Sequence, residues 1–153
     1  MSSPGLIPTF STAVNSWQCD ENDHLNVQFY TEFGHEASAH LLASLGFGPR
    51  AQRAAGLNLG VAQDHVHYRR EFRIIDPVAV FSAPVELGEH DLVAYHEIRN
   101  ASDGAIAATV CLTNSKSDAC FARISAGPWS NSLFSWPVNG RTVHLRASSP
   151  YCD

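Results

Sequence analysis

The sequence predicts an α+β domain in which an antiparallel β-sheet wraps around one long central helix. Three observations predict it. Apolar residues recur with helical period from Val27, a strand-like pattern runs from Leu57 to about Lys116, and 153 residues suit one domain with one core. One helix and five strands share a core most economically when the sheet curls around the helix.

Taken in order, residues 1–10 carry two prolines and read as a loose lead-in. Residues 11–19 (STAVNSWQC) are β-prone and predict a first strand. From Val27, the residues Tyr30, Phe33, Ala37, Leu41 and Leu45 follow at steps of three and four and line one helical face. Asn26 is placed to cap that helix, and Gly46 with Pro49 supplies its stop. With Glu32 and Glu36 its only acids, the helix is expected to be buried on most sides.

Residues 46–56 read as a mobile connector. In LNLGVAQDHVHYRREFRI the apolar parity flips near residues 62–65, which predicts a β-bulge. Asp76-Pro77 marks a turn, and VAVFSAPVEL, DLVAYHEIR and AIAATVCLTNSK follow, separated by hairpin-like connections. The expected order is therefore strand, helix, then four strands in a meander. Residues 127–153 have no sustained period and read as a tail or flap.

Composition narrows the function classes. Ten Lys+Arg against 15 Asp+Glu give a net charge of −5, which argues against non-specific nucleic-acid binding. No run reaches the roughly 18 apolar residues of a membrane span. MSSPGLIPTF lacks the basic and apolar regions of a secretory signal, so a cytoplasmic location is expected. The four cysteines (Cys19, Cys111, Cys120, Cys152) show no CxxC pair and are expected to be free thiols.

Charge concentrates in CDENDHLN, residues 19–26, between two apolar runs. Asp20 and Asp23 can be turn acids favoured near a helix N-terminus, and Asn26 merely its cap. The same residues can also serve chemistry. A carboxylate attacks a carbonyl or orients water as a weak base, and the free N–H groups of a helix start polarise a carbonyl oxygen.

The run W-x-C-D-x-N-x-H-x-N-x-x-x-Y across residues 17–30, joined to the predicted layout, resembles the hotdog-fold acyl-CoA thioesterases. It is most similar to the 4-hydroxybenzoyl-CoA thioesterase type and its betainyl-CoA thioesterase-like branch. A second similarity is D-H-V-H-Y-R-R-E at 64–71. On this resemblance the hotdog domain spans residues 11–126. It departs at Asp23, where the family usually has glycine; a glycine there permits a tight turn of positive φ, which Asp tolerates better than most residues.

The resemblance implies hydrolysis of a small or polar acyl-CoA. Asp20 would act as general base or nucleophile, and the backbone N–H near Val27 would hold the oxyanion. His24 and Asn26 would orient water or the acyl group. Trp17, Tyr30, His65, His67, Tyr68 and Glu71 are candidates for the acyl site, against a simpler reading of Trp17 and Tyr30 as core and of the histidines as solvent-facing. Arg69, Arg70 and Arg73 match coenzyme A phosphates in chemistry, or protect a strand edge; alternation would send Arg70 to the face opposite the other two.

No metal and no cofactor beyond the coenzyme A of the substrate is expected, since two histidines at i and i+2 fix no third ligand. The resemblance also implies a homodimer or a dimer of dimers with sites between protomers, and no nucleic-acid or membrane partner. Two alternatives stand beside hydrolysis. D-E-N-D-H is similar to the D-x-N-P-x-H of hotdog enoyl-CoA hydratases, one residue short and without the proline. A non-catalytic acyl-CoA-binding hotdog module is the other.

Overall fold

The computed structural model describes residues 5–56, 59–87, 91–116, 134–138 and 141–145. Strand β1 is Ile7–Ala13, followed by a 3-10 turn at Ser16–Gln18. Helix α1 is Val27–Ser44 and a short helix α2 is Pro49–Ala54. Strands β2 (Leu59–Tyr68), β3 (Pro77–Leu87), β4 (Asp91–Asn100) and β5 (Ile106–Lys116) complete one antiparallel sheet in the order β1-β3-β4-β5-β2.

The helix forms where its pattern places it. Asn26 is the N-cap and its Oδ1 accepts the Gln28 N–H at 3.2 Å. Gly46, at φ 84°, ends it in a conformation that costs glycine little. Tyr30, Phe33, Ala37, Leu41 and Leu45 are all buried, and the first three pack with Val80, Ile98, Val110 and Leu112 of the sheet. The expected bulge in β2 lies between Val61 and Gln63.

Four expectations need correction. The first strand starts at Ile7, so part of the lead-in pairs with β3, and Trp17 belongs to the 3-10 turn. Only β3, β4 and β5 form a meander; β2 crosses to the far edge and pairs with β5, because the α2 connection is long enough to carry it there. The helix is not enclosed: Glu32, His35, Glu36, Ala39, His40 and Ala43 are exposed, since a single sheet covers one side of a helix. The aperiodic tail contains a hairpin, β6 (Phe134–Val138) paired with β7 (Arg141–Leu145); the rest of it lies outside the described residues.

Cysteine chemistry also departs from expectation. Cys19 is free, but Cys111 is disulfide-bonded. Linear spacing says nothing about which Cα atoms the fold brings within the roughly 6 Å that a bridge requires. Cys120 and Cys152 fall outside the described residues.

Two features of the core carry consequences. A Cβ built on Gly34 would meet Val110 Cγ1 at 3.1 Å, so glycine lets α1 sit close on β5. Gly34→Val is expected to overpack this contact and to cost about 2 kcal/mol, read as a lower urea midpoint with unchanged slope. Beside this contact, His96 of β4 is fully buried and its Nδ1 lies 2.6 Å from Ser82 Oγ, which in turn lies 2.6 Å from Thr9 Oγ1. Burial, and then His35 on α1, push its pKa down to about 3.

Candidate active site

The turn between the 3-10 segment and α1 is built by backbone bonds around Asp20. Its N–H donates to His24 O at 2.8 Å, and its Oδ1 accepts the N–H groups of Asn22 at 2.9 Å and His24 at 3.2 Å. A short polar side chain that closes its own turn in this way explains why Asp suits the position. Among the described residues no hydrogen-bond donor reaches Asp20 Oδ2, which is left for other work. Asp23 sits at φ 59°, the left-handed conformation that glycine would adopt without strain. Asp23→Gly is therefore expected to leave stability unchanged or raise it by up to about 1 kcal/mol, whereas Asp23→Val should lower it by about that much; thermal unfolding of both variants reads the difference.

The far wall comes from the segment after β2. Leu25 N–H donates to Phe72 O at 2.9 Å, and His24 bridges to Arg73, so residues 70–73 are tied to the helix entry. The Tyr30 hydroxyl donates to Arg70 O at 3.3 Å and accepts the Phe72 N–H at 3.1 Å. Burial raises its pKa, partly opposed by the Phe72 N–H. His24 Nε2 is buried and lies 3.2 Å from Glu71 Oε2, at an angle that falls short of a hydrogen bond.

These walls enclose an open cleft of about 680 Å³, a size suited to a small-molecule group. Of the expected site residues, Asp20, His24, Val27, Tyr30, Tyr68 and Glu71 line it. Asn26 stands next to it as the helix cap. Trp17 is 68% exposed and packs edge-on against Phe29 at 5.3 Å, outside the cleft. His65 and His67 also lie outside: their register partners Cys111 and Thr109 place them on the sheet face turned away from α1, while Tyr68 shares the helix-facing side with Val66.

Leu25, Arg69 and Arg70 line the cleft as well. Strict alternation would separate the two arginines, but both of their N–H groups donate to Ala107 O, at 2.8 and 3.0 Å. The ladder is irregular there and both residues reach the same opening. The only sequence signal was the density of arginine itself. Arg70 is also held by Asp103 at 2.6 Å, whose pKa is lowered first by the Ala105 N–H and then by Arg70.

At the helix start, the Val27 N–H meets no acceptor among the described residues, and Val27 is 60% exposed at the cleft. An unpaired N–H at the positive end of an 18-residue helix, beside a carboxylate, can stabilise a developing oxyanion. No group of three or more metal-ligating side chains is found among the described residues of one chain. No helix among the described residues is long and apolar enough to cross a membrane.

Comparison with known proteins agrees with this architecture. A candidate thioesterase from Pseudomonas putida KT2440 superposes with a TM-score of 0.69 at 19% identity, over 84% of this chain and 85% of its own. A Staphylococcus aureus protein in complex with CoA gives 0.66 at 15% identity, over 86% and 89%. A gentisyl-coenzyme A thioesterase gives 0.65 at 15% identity, over 72% and 88%. At these identities the likeness carries the fold. A search of curated protein sequences gave no significant match. The profile of the thioesterase-like superfamily matches residues 14–115, the greater part of the chain, from just after β1 almost to the end of β5. The chain belongs to the thioesterase-like superfamily of thioester hydrolases and has the hotdog fold.

Proposed function

We propose that the chain hydrolyses a small or polar acyl-CoA in the cleft at the start of α1. One observation carries the reading: Asp20 Oδ2 and the Val27 N–H, neither of which bonds to another described residue, share one opening. The thioester carbonyl would accept a hydrogen bond from that N–H. Asp20 Oδ2 either removes a proton from the attacking water, or attacks the carbonyl carbon to give a mixed anhydride that water then cleaves, which releases the acid and restores the carboxylate. The thiolate of coenzyme A leaves and takes up a proton. His24 and Glu71, across the opening, suit the positioning of water or of a polar acyl group. The positive side chains of Arg69 and Arg70 at the same mouth suit the phosphates of coenzyme A.

The working unit in this reading is a homodimer or a dimer of dimers. Val61 and Tyr68 on β2, with Val27 at the cleft, are large apolar side chains left 44–60% exposed by a single chain. A second copy would cover them and narrow the cleft. A cytoplasmic location is part of the same reading.

Free-thiol release from a panel of short, long, aromatic and quaternary-ammonium acyl-CoAs tests the proposal. Turnover of at least one of them, lost in Asp20→Ala, is expected. Change of crotonyl-CoA absorbance without thiol release would replace hydrolysis by hydration. Binding of acyl-CoA with neither reaction would leave only a binding module.

A further inference from the structure

His65 and His67 are both exposed, share one face of β2 and stand 6.3 Å apart between ring centres, with no hydrogen bond to any described residue. They take no part in the cleft. Two imidazoles on one tetrahedral ion have ring centres about 5 Å apart, so a small rotamer adjustment would let both reach one metal. Among the described residues a single chain offers no third ligand: β2 is an edge strand, and Cys111, which faces His65 from β5, is disulfide-bonded.

The edge itself supplies the rest. Arg69 N–H donates to Ala107 O and Tyr68 faces Ala108, so His65 and His67 bond inward to β5. Asp64, Val66 and Tyr68 consequently turn their backbone N–H and C=O groups to the open side. The opposite edge of the sheet is blunted by Pro8 and a register shift beside it, whereas between Gln63 and Tyr68 there is no proline, lysine or arginine. The only formal charge of that run, Asp64, is turned to His35 of α1 at 3.2 Å and does not guard the edge. Such an edge pairs with a strand of the same kind, and its self-complement is the same edge of a second copy.

A two-fold pairing must keep helix-facing residues with helix-facing residues, so the axis passes through a residue. Centring on Asp64 sets two carboxylates face to face, and centring on Tyr68 runs the pairing off the end of the strand. Centring on His65 or on His67 sets one histidine pair face to face and leaves the other two imidazoles about 13 Å apart along the strands. Centring on Val66 sets His65 against the partner's His67 twice, and it engages all three outward-turned residues, Asp64, Val66 and Tyr68, in the new ladder. Both of these facing pairs are of the non-hydrogen-bonded kind, whose side chains are closest.

We propose that, in a dimer joined β2 to β2 about Val66, the four imidazoles of His65 and His67 bind one divalent transition-metal ion, zinc by ligand type, on the sheet face away from α1. The proposal rests on the dimeric part of the functional reading and not on hydrolysis. One ion per dimer is its signature, because each chain holds half of the site.

The test combines light scattering with calorimetric titration of zinc into chelator-treated full-length protein, for wild type and for the double variant His65→Ala, His67→Ala. A wild-type dimer that binds half an ion per chain, with affinity falling at least about tenfold in the double variant, is expected. A dimer that binds no zinc, or one ion per chain equally in both proteins, would overturn the metal site and leave the pairing intact. A monomeric wild type would overturn both. Thiol release by the chelated protein, measured separately, decides hydrolysis independently of either result.

Discussion

Asp20→Asn is expected to lower kcat for acyl-CoA hydrolysis by roughly 10²–10⁴-fold while leaving the fold and the affinity for coenzyme A close to wild type. The reason lies in how Asp20 is held. Its Oδ1 accepts two backbone N–H groups that close the turn, and an asparagine carbonyl oxygen can accept the same two. Only Oδ2, which makes no hydrogen bond to a described residue, is exchanged for an amide that neither attacks nor takes a proton. Asp20→Ala removes both functions at once. It is expected to lose the turn bonds as well, at about 1–2 kcal/mol, and so to fall in stability where Asn does not. Thiol-release kinetics beside urea unfolding of the two variants separate these effects. Activity of Asp20→Asn within about threefold of wild type would reject Asp20 as base or nucleophile, and the cleft would then need another source of reactivity.

Acidification should destabilise the protein through His96. The side chain is fully buried and burial holds its pKa at about 3, whereas in the unfolded chain it titrates near the ordinary 6.5. Above pH 6.5 neither state is protonated and the residue adds no pH dependence. As pH falls below 6.5 the unfolded chain takes up a proton that the folded one refuses, so stability declines until the folded value near 3 is reached. At about 1.4 kcal/mol per unit this amounts to roughly 3 kcal/mol by about pH 4, a large share of an ordinary domain's stability. His96→Leu removes the titrating group and leaves Ser82 Oγ with Thr9. Between about pH 6 and pH 4 the variant should lose less stability than wild type, by close to one proton's slope in denaturant titrations. Parallel profiles for the two proteins would show that His96 is not the group responsible.

Much of this was legible in the chain itself, for identifiable reasons. The helix was readable because its buried face repeats at 3.6 residues and its ends carry an asparagine and a glycine, both of which act locally. The bulge in β2 was readable because it flips the parity of apolar side chains within a few residues. That Asp20, His24 and Val27 meet at one cleft was readable because they lie within eight positions of one another, where a turn feeds a helix. Even the unusual Asp23 fell where a left-handed residue was expected, since that demand belongs to the turn alone.

Tertiary structure decided whatever depends on which distant segments meet. Strand order was one such choice: nothing local in β2 tells it to pass β3 and pair with β5. That choice turned His65 and His67 away from the cleft and left them on an open edge. It also brought Tyr68, Arg69, Arg70 and Glu71 against the start of α1, with the Tyr30 hydroxyl bridging the two segments. The irregular ladder at Arg69 and Arg70, and the bond made by Cys111, likewise arise from contacts between residues far apart in sequence. Periodicity, caps and turn chemistry are short-range and are written in neighbouring residues. Pairing across the sheet is settled by the whole core, by which apolar faces can be buried together once every backbone group has found a partner.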